Sequence, residues 1–146
     1  MKLLVVSDSH GNNEALDKLA KLYPNMDLYL HLGDSESDEF LIKPFISVRG
    51  NCDCYPDFQD FLVIPTPLGN IFACHTPYIS KSELTAKNAK IFLHGHTHRR
   101  RFEEINGITY LNPGAISFAR DIHELSYLIL EITDKDINPI FKSLDD

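Results

Sequence analysis

Apolar residues fall along this chain in short runs, and most runs break on glycine, proline, asparagine or aspartate. Leu3-Leu4-Val5-Val6 is apolar at every position and ends in Ser7-Asp8, the pattern of a buried strand whose carboxyl end feeds a loop. Leu16, Leu19, Ala20 and Tyr23 then recur at helical spacing until Pro24-Asn25, which predicts a helix capped by Asn12 or Asn13. Residues 27–32 read as a second strand followed by Gly33-Asp34. Residues 37–42 read as a short helical stretch, and 45–48 as a third strand running into Arg49-Gly50-Asn51. Strand, loop and helix therefore alternate, which favours parallel strands joined by right-handed crossovers.

The second half changes character. Residues 61–64 and 71–74 flank Pro67-Leu68-Gly69-Asn70 as a hairpin, 80–88 read as a modest helix, and 91–93 as a strand entering Gly95-His96-Thr97-His98. Residues 101–105 and 108–111 surround Asn106-Gly107, a strong short-range hairpin signal. Asn112-Pro113-Gly114 reads as a tight turn. Strands 126–132 and 137–142 follow, joined through Asp134-Lys135-Asp136. The expected fold is α/β: a four-layer α-β-β-α sandwich of two mixed β-sheets flanked by helices, the first sheet mostly parallel and the second richer in hairpins.

Length supports one domain over residues 1–146, since domains cluster near this size and no linker-like stretch divides the chain. A hydrophobic content of 43% and a charged content of 24% match an ordinary globular protein. The formal charge of -7, from 21 acidic and 14 basic residues, argues against extensive nucleic-acid backbone binding. Arg99-Arg100-Arg101 is the one basic cluster; it reads either as a solvated strand end or as a lure for a phosphate-bearing substrate. Cys52, Cys54 and Cys74 form neither a paired framework nor a zinc ribbon. With no apolar leader and no long apolar run, the expectation is a cytoplasmic protein that engages no membrane.

The chemistry sits at the strand ends. Asp8 and His10, at i and i+2, would point to one side in extended geometry, and Asp34 follows Gly33. Each pattern is common by chance: Asp8 could cap a helix and Gly-Asp is an ordinary turn. Asn51 offers a neutral carbonyl oxygen, although asparagine also suits a turn. His96 and His98, separated by one residue and preceded by Gly95, can face one point. Two carboxylates, four imidazoles and one amide make seven ligands of mixed character, too many for one tetrahedral ion. They suit Mn²⁺, Fe or Zn²⁺ better than Ca²⁺ or Mg²⁺.

The ordered set Asp8-x-His10, Gly33-Asp34, Gly50-Asn51, His75 and Gly95-His96-x-His98 resembles the signature of the calcineurin-like metallophosphoesterase superfamily. The Arg49-Gly50-Asn51-Cys52-Asp53 and Asn112-Pro113-Gly114 strings resemble its small single-domain bacterial and archaeal phosphodiesterase branch. The resemblance implies two divalent metal ions, Mn²⁺ foremost, with Fe, Ni²⁺ or Zn²⁺ as alternatives. It places Asp8, His10 and His98 on one, Asn51, His75 and His96 on the other, and Asp34 between them. It also implies that Asp34 and Asn51 serve catalysis, and that a small phosphodiester or other phosphate ester is hydrolysed by in-line attack of a metal-bridging hydroxide. A homodimer is the expected assembly if the chain self-associates.

Three departures stand out. Where many relatives have a histidine after Gly-Asn, thought to protonate the leaving group, this chain has Cys52. Where relatives often have an acid three residues past the bridging aspartate, it has Ser37, with Asp38 next. His75 follows Cys74 instead of glycine. The alternative function is a non-catalytic scaffold, since the same fold serves so in a subunit of the eukaryotic retromer complex; Tyr55, Phe58 and Phe61 would offer it an apolar surface. A protein phosphatase ranks last, because the short chain leaves little room for a peptide groove.

Among the remaining residues, His31 reads as a core histidine, His94 as structural or supporting, and His123 as exposed. Asp53 could orient a ligand or cap a turn. Arg49, Arg99 and Arg120 are candidate phosphate contacts whose directions the sequence does not fix. Specificity is expected from the loops at 52–60, 76–84 and 115–124.

Overall fold

The computed structural model describes residues 1–144 and contains two five-stranded sheets packed face to face. The first has the order β10-β9-β1-β2-β3, built from β1 (Lys2–Val6), β2 (Leu28–His31), β3 (Ile46–Ser47), β9 (Ser126–Ile132) and β10 (Ile137–Ser143). The second has the order β4-β5-β6-β8-β7, from β4 (Phe61–Thr66), β5 (Gly69–Cys74), β6 (Ala89–Leu93), β7 (Arg100–Ile105) and β8 (Ile108–Pro113). Helix α1 (Asn13–Leu22) covers the outer face of the first sheet and helix α2 (Lys81–Ala86) that of the second. The four layers expected from the sequence are present.

Strand alternation explains why β1 is apolar at every position. Leu3 and Val5 point inward and meet Ile71, Ala73, Ile91 and Leu93 of the other sheet, whereas Leu4 and Val6 point outward onto Leu16 and Leu19 of α1. The same division runs through β6, where Ile91 and Leu93 join the central core and Phe92 joins Leu84 of α2. A strand buried on both faces has no polar positions to alternate.

Helix α1 begins as predicted, with the Asn12 side chain accepting from the backbone N–H of Ala15, and ends just before Pro24. The stretch at 37–42 is a 3-10 helix, Glu39–Ile42, capped by Asp38, whose carboxylate accepts from the N–H of Phe40 at 3.0 Å. Helix α2 is shorter than predicted because Asn88, at φ 53°, turns the chain straight into β6. Asn106 and Gly107, at φ 52° and 82°, form the tight turn joining β7 and β8 that their sequence announced.

Three expectations differ. The first sheet is not mostly parallel: β1-β2 and β2-β3 are parallel, while β1-β9 and β9-β10 are antiparallel, because the C-terminal hairpin crosses back to pair with β1. The second sheet divides the same way, with β5-β6 and β6-β8 parallel. Asn112-Pro113 belongs to β8 and only Gly114, at φ 82°, makes the bend. Phe58 is buried at 2% exposure and Tyr55 stacks edge-on against it, so of the three candidate surface aromatics Phe61 alone is exposed.

Leu93 lies fully buried in a central strand. Leu93→Ala is expected to lower stability by roughly 2–5 kcal/mol, and Phe102→Ala, on the exposed edge, by under about 1 kcal/mol. Urea denaturation of the two variants measures the difference.

Candidate metal centre

The strands that carry the candidate ligands are those in parallel pairs. Asp8 and His10 follow β1, Asp34 follows β2, Asn51 follows β3, His75 follows β5, and His96 and His98 follow β6. Parallel neighbours end at one edge, so both sheets bring their carboxyl ends to a common rim. Backbone hydrogen bonds stitch it: Asp8 N–H donates to Gly33 O at 3.0 Å, His10 N–H to Asp34 O at 2.9 Å, and Gly95 N–H to His75 O at 2.9 Å.

All seven side chains converge. Asp8 Oδ1 lies 3.2 Å from His98 Nε2 and 3.9 Å from His10 Nε2. Asn51 Oδ1 lies 2.9 Å from His75 Nε2 and 3.1 Å from His96 Nδ1, and those two ring nitrogens are 3.3 Å apart. Between the groups, Asp34 Oδ2 stands 3.2 Å from His75 Nε2, which is also 3.8 Å from Asp8 Oδ1. Asp8, Asp34 and His75 therefore form a donor cluster of their own, continuous with that of Asp8, His10 and His98.

The backbone bends sharply to achieve this. Asp8, His10, Asp34, His96 and His98 all have positive φ, between 44° and 72°, a conformation costing roughly 1 kcal/mol or more for each non-glycine residue. The extended geometry expected for Asp8-Ser9-His10 is thus not the one adopted. Ser9 turns away to hydrogen-bond His31 at 2.8 Å. The glycines before the ligands serve close approach: a Cβ on Gly50 would sit 2.1 Å from Asp34 Oδ1, and one on Gly95 2.0 Å from Ser7 Oγ.

The donor set fits cations. His75 Nδ1 bonds the Leu32 carbonyl at 2.7 Å and His98 Nδ1 the Phe118 carbonyl at 2.9 Å, so each ring donates through Nδ1 and turns Nε2 toward the cluster. In the neutral ring, His75 Nε2 then meets Asn51 Oδ1 and Asp34 Oδ2 as a third acceptor with no hydrogen between them. Asp8 Oδ1 and His10 Nε2 are buried with no hydrogen-bond partner. Buried acceptors left facing one another call for a positive charge.

Titration follows the same logic. Burial would depress the His75 imidazole, but Asp34, Asp8 and the Leu32 carbonyl outweigh it and raise its pKa. Burial opposes ionisation of Asp34, yet the His75 contact and the Cys52 N–H hold its carboxyl down to about 2.

A model of the calcineurin-like phosphoesterase superfamily domain matches residues 1–135. The chain belongs to this superfamily. A probable metallophosphoesterase of Bacillus subtilis, YsnB, is 33% identical over 146 aligned residues, covering 90% of this chain and 85% of the relative. Phosphodiesterase YfcE of Escherichia coli K12 is 26% identical, covering 90% and 88%. The crystal structure of a conserved uncharacterized protein of Streptococcus pneumoniae TIGR4, a predicted phosphoesterase, superposes with a TM-score of 0.89 at 28% identity, over 99% of this chain and 90% of that one. A Vps29 mutant structure from Entamoeba histolytica shares the fold at a TM-score of 0.74 and 19% identity, over 98% and 100% of the chains.

Around the seven converging side chains of this calcineurin-like domain stand several supporting residues whose roles no sequence motif marks. Glu36 Oε2 reaches 3.6 Å from His10 Nδ1, from a loop residue with φ 54°; Ser37 instead bonds Asn13 and the Ser35 carbonyl. The Ser7 hydroxyl donates to Asp8 Oδ2 at 2.5 Å. Asn112 donates to Gly95 O and Thr97 Oγ1, holding the loop of His96 and His98 in place. Asp53 accepts from the N–H groups of Asp34, Gly50 and Glu36, which settles it as an organiser of the Asp34 turn. Arg49 bonds Asp60 and the carbonyls of Pro56 and Phe58, so it closes its own loop. Among the described residues no helix is long and apolar enough to cross a membrane.

His31 is a core histidine, as its apolar setting suggested. Gly33 N–H donates to its Nδ1 at 3.0 Å, leaving Nε2–H for Ser9, and burial lowers its pKa from 6.5 to about 4. The folded chain holds it neutral, so its contribution is complete above pH 6.5. As pH falls from 6.5 toward 4 the unfolded chain takes the proton first and that stability is lost. Urea unfolding in EDTA should show wild type losing about 2 kcal/mol more than His31→Gln between pH 7 and pH 4.5.

Proposed function

We propose that this protein is a binuclear-metal-dependent phosphodiesterase acting on a small substrate. Asp8, His10 and His98 would hold one divalent cation, Asn51, His75 and His96 the other, and Asp34 would bridge them. The observation that carries this reading is the pair of buried polar atoms without a hydrogen-bond partner, Asp8 Oδ1 and His10 Nε2, beside a second knot of acceptors on Asn51, His75 and Asp34. When bound, such cations supply the Lewis acidity and the lowered water pKa that hydrolysis by in-line attack requires. Mn²⁺ is the first candidate, with Fe, Ni²⁺ and Zn²⁺ as alternatives. A cytoplasmic setting and a homodimer belong to the same proposal.

The chain's own part is positioning. Asp53 fixes the backbone that presents Asp34, and the Cys52 N–H holds Asp34 Oδ1 at 2.8 Å, leaving Oδ2 for the centre. Asn51 is exposed; its amide offers Oδ1 to the centre while its Nδ2 donates to Cys52 Sγ at 3.5 Å. Phosphodiester specificity is supported by relatives named phosphodiesterases. A non-catalytic scaffold has no need of seven converging ligands, five of them in a costly backbone conformation.

Purified protein supplied with Mn²⁺ should bind roughly two equivalents of metal per chain and hydrolyse bis(p-nitrophenyl) phosphate. Asn51→Ala and His98→Ala should each lower turnover by at least about a hundredfold. Absence of turnover across Mn²⁺, Fe²⁺, Ni²⁺ and Zn²⁺ in metal-loaded protein would sink the enzyme and leave the scaffold.

Cys52 sets a second expectation. A thiol, with an ordinary pKa of about 8.5, is a poorer match than an imidazole to protonating a leaving group near neutral pH. The enzyme should discriminate strongly in favour of good leaving groups. Cys52→His should flatten that dependence, raising turnover of a dialkyl phosphate about tenfold or more; a series of esters of graded leaving-group pKa measures the slope.

A further inference from the structure

Beside the metal centre the surface opens into a cavity of about 590 Å³ whose walls are unusually basic for a chain of net charge -7. Arg99, Arg101 and Arg120 line it, together with Tyr78, His94 and His96. We propose, resting on the phosphoesterase reading above, that this groove binds the non-reacting part of the substrate and that this part carries a second phosphoryl group.

The placement is the first support. His96 is shared: its Nδ1 faces Asn51 and His75 in the centre, and the residue also lines the groove. A phosphodiester seated on the centre therefore extends one of its two substituents along this wall. A volume of this size suits a nucleotide-sized group. Tyr78 is 79% exposed and stands edge-on to the His96 ring at 6.2 Å, leaving a ring face free for a planar moiety.

Charge is the second. Arg101 is held in place by Glu103, at 2.7 Å from its Nε, and by His94, at 3.1 Å from Nη1. His94 Nδ1 faces the Gly95 carbonyl at 3.0 Å and donates to it, so Nε2 is left to accept from the guanidinium. Glu103 offsets the charge of Arg101. Arg99 and Arg120 differ: among the described residues neither side chain has an ion pair, and Arg120 only lies over the Phe118 ring at 5.4 Å. Arg100 also lines the groove, with its guanidinium over Phe141 and Nη1 3.3 Å from His123 Nδ1. The groove therefore holds two guanidiniums without an ion pair beside one that is fixed, a supply of charge that suits a phosphoryl dianion through charge-assisted, bidentate hydrogen bonds.

Two matched substrates test this: thymidine 5′-(p-nitrophenyl phosphate) with and without a 3′-phosphate. In Mn²⁺-loaded wild type, kcat/KM for the 3′-phosphorylated ester should exceed that of its partner by about tenfold. In Arg99→Gln/Arg120→Gln the ratio should fall to near one, with metal content and melting temperature unchanged as the control for folding. A wild-type ratio near one, or a ratio that survives in the double variant, overturns the subsite. If neither ester turns over, the phosphoesterase reading fails first, and calorimetric binding decides the subsite by itself. Thymidine 3′,5′-bisphosphate binding about tenfold tighter than the 5′-monophosphate, with that gain lost in the double variant, upholds it; equal binding overturns it.

Discussion

Two carboxylates, four imidazoles and an amide oxygen do not share a few ångströms of space unless something positive stands among them. That electrostatic demand organises the rim of this protein. Asp8 is fully buried and Asp34 nearly so, and the hydrogen bonds available to them are spent on one oxygen each: Asp8 Oδ2 accepts from Ser7 and from the His96 N–H, and Asp34 Oδ1 from the Cys52 N–H. The other oxygens face the ring nitrogens. A proton on His75 can partly satisfy the cluster, which is why that ring is more basic than its burial allows. Divalent cations satisfy it better, since each supplies two charges and several ligand positions at once.

The fold resists the mutual repulsion by rigidity rather than by distance. Parallel pairing puts the ends of β1, β2 and β3, and of β5 and β6, at one edge, so no ligand sits on a long free loop. The turns after them are as tight as the backbone permits, with left-handed residues at alternate positions in both Asp8-Ser9-His10 and His96-Thr97-His98. Five such residues together cost several kcal/mol by the usual scale of about 1 kcal/mol each. The two-sided burial of β1 and β6 anchors the segments that must hold this strain, consistent with the way functional sites draw on the stability of the core.

Much of this was legible in the sequence because its signals are short and local. A four-residue apolar run names a buried strand, Asn106-Gly107 names a hairpin, and Gly-His-x-His names a candidate ligand pair. What was hidden depends on partners distant along the chain. Nothing in residues 126–142 says that their hairpin returns to β1, and this pairing is what makes the first sheet evenly mixed. Spacing alone suggested an extended Asp8-Ser9-His10, whereas the approach of Gly33 and Gly95 forces it into a curl. Asn112 looked like a turn residue. Its role, bonding Gly95 and Thr97, exists only once β8 lies beside β6.

The same separation of local from long-range information explains the arginines. Arg99-Arg100-Arg101 reads as one basic cluster, but the strand pleat and the bend before it send its members apart: one toward Phe141, one to Glu103 and His94, one free. Arg120 joins the free member from a loop some twenty residues away, its backbone N–H tied to His98 O at 3.1 Å. The ligand loop and the basic wall are therefore mechanically one piece. Any substituent drawn by those guanidiniums is drawn at a fixed offset from His98 and His96, so charge that would serve only as a lure in a flexible tail can here set the register of a substrate against the candidate metal centre.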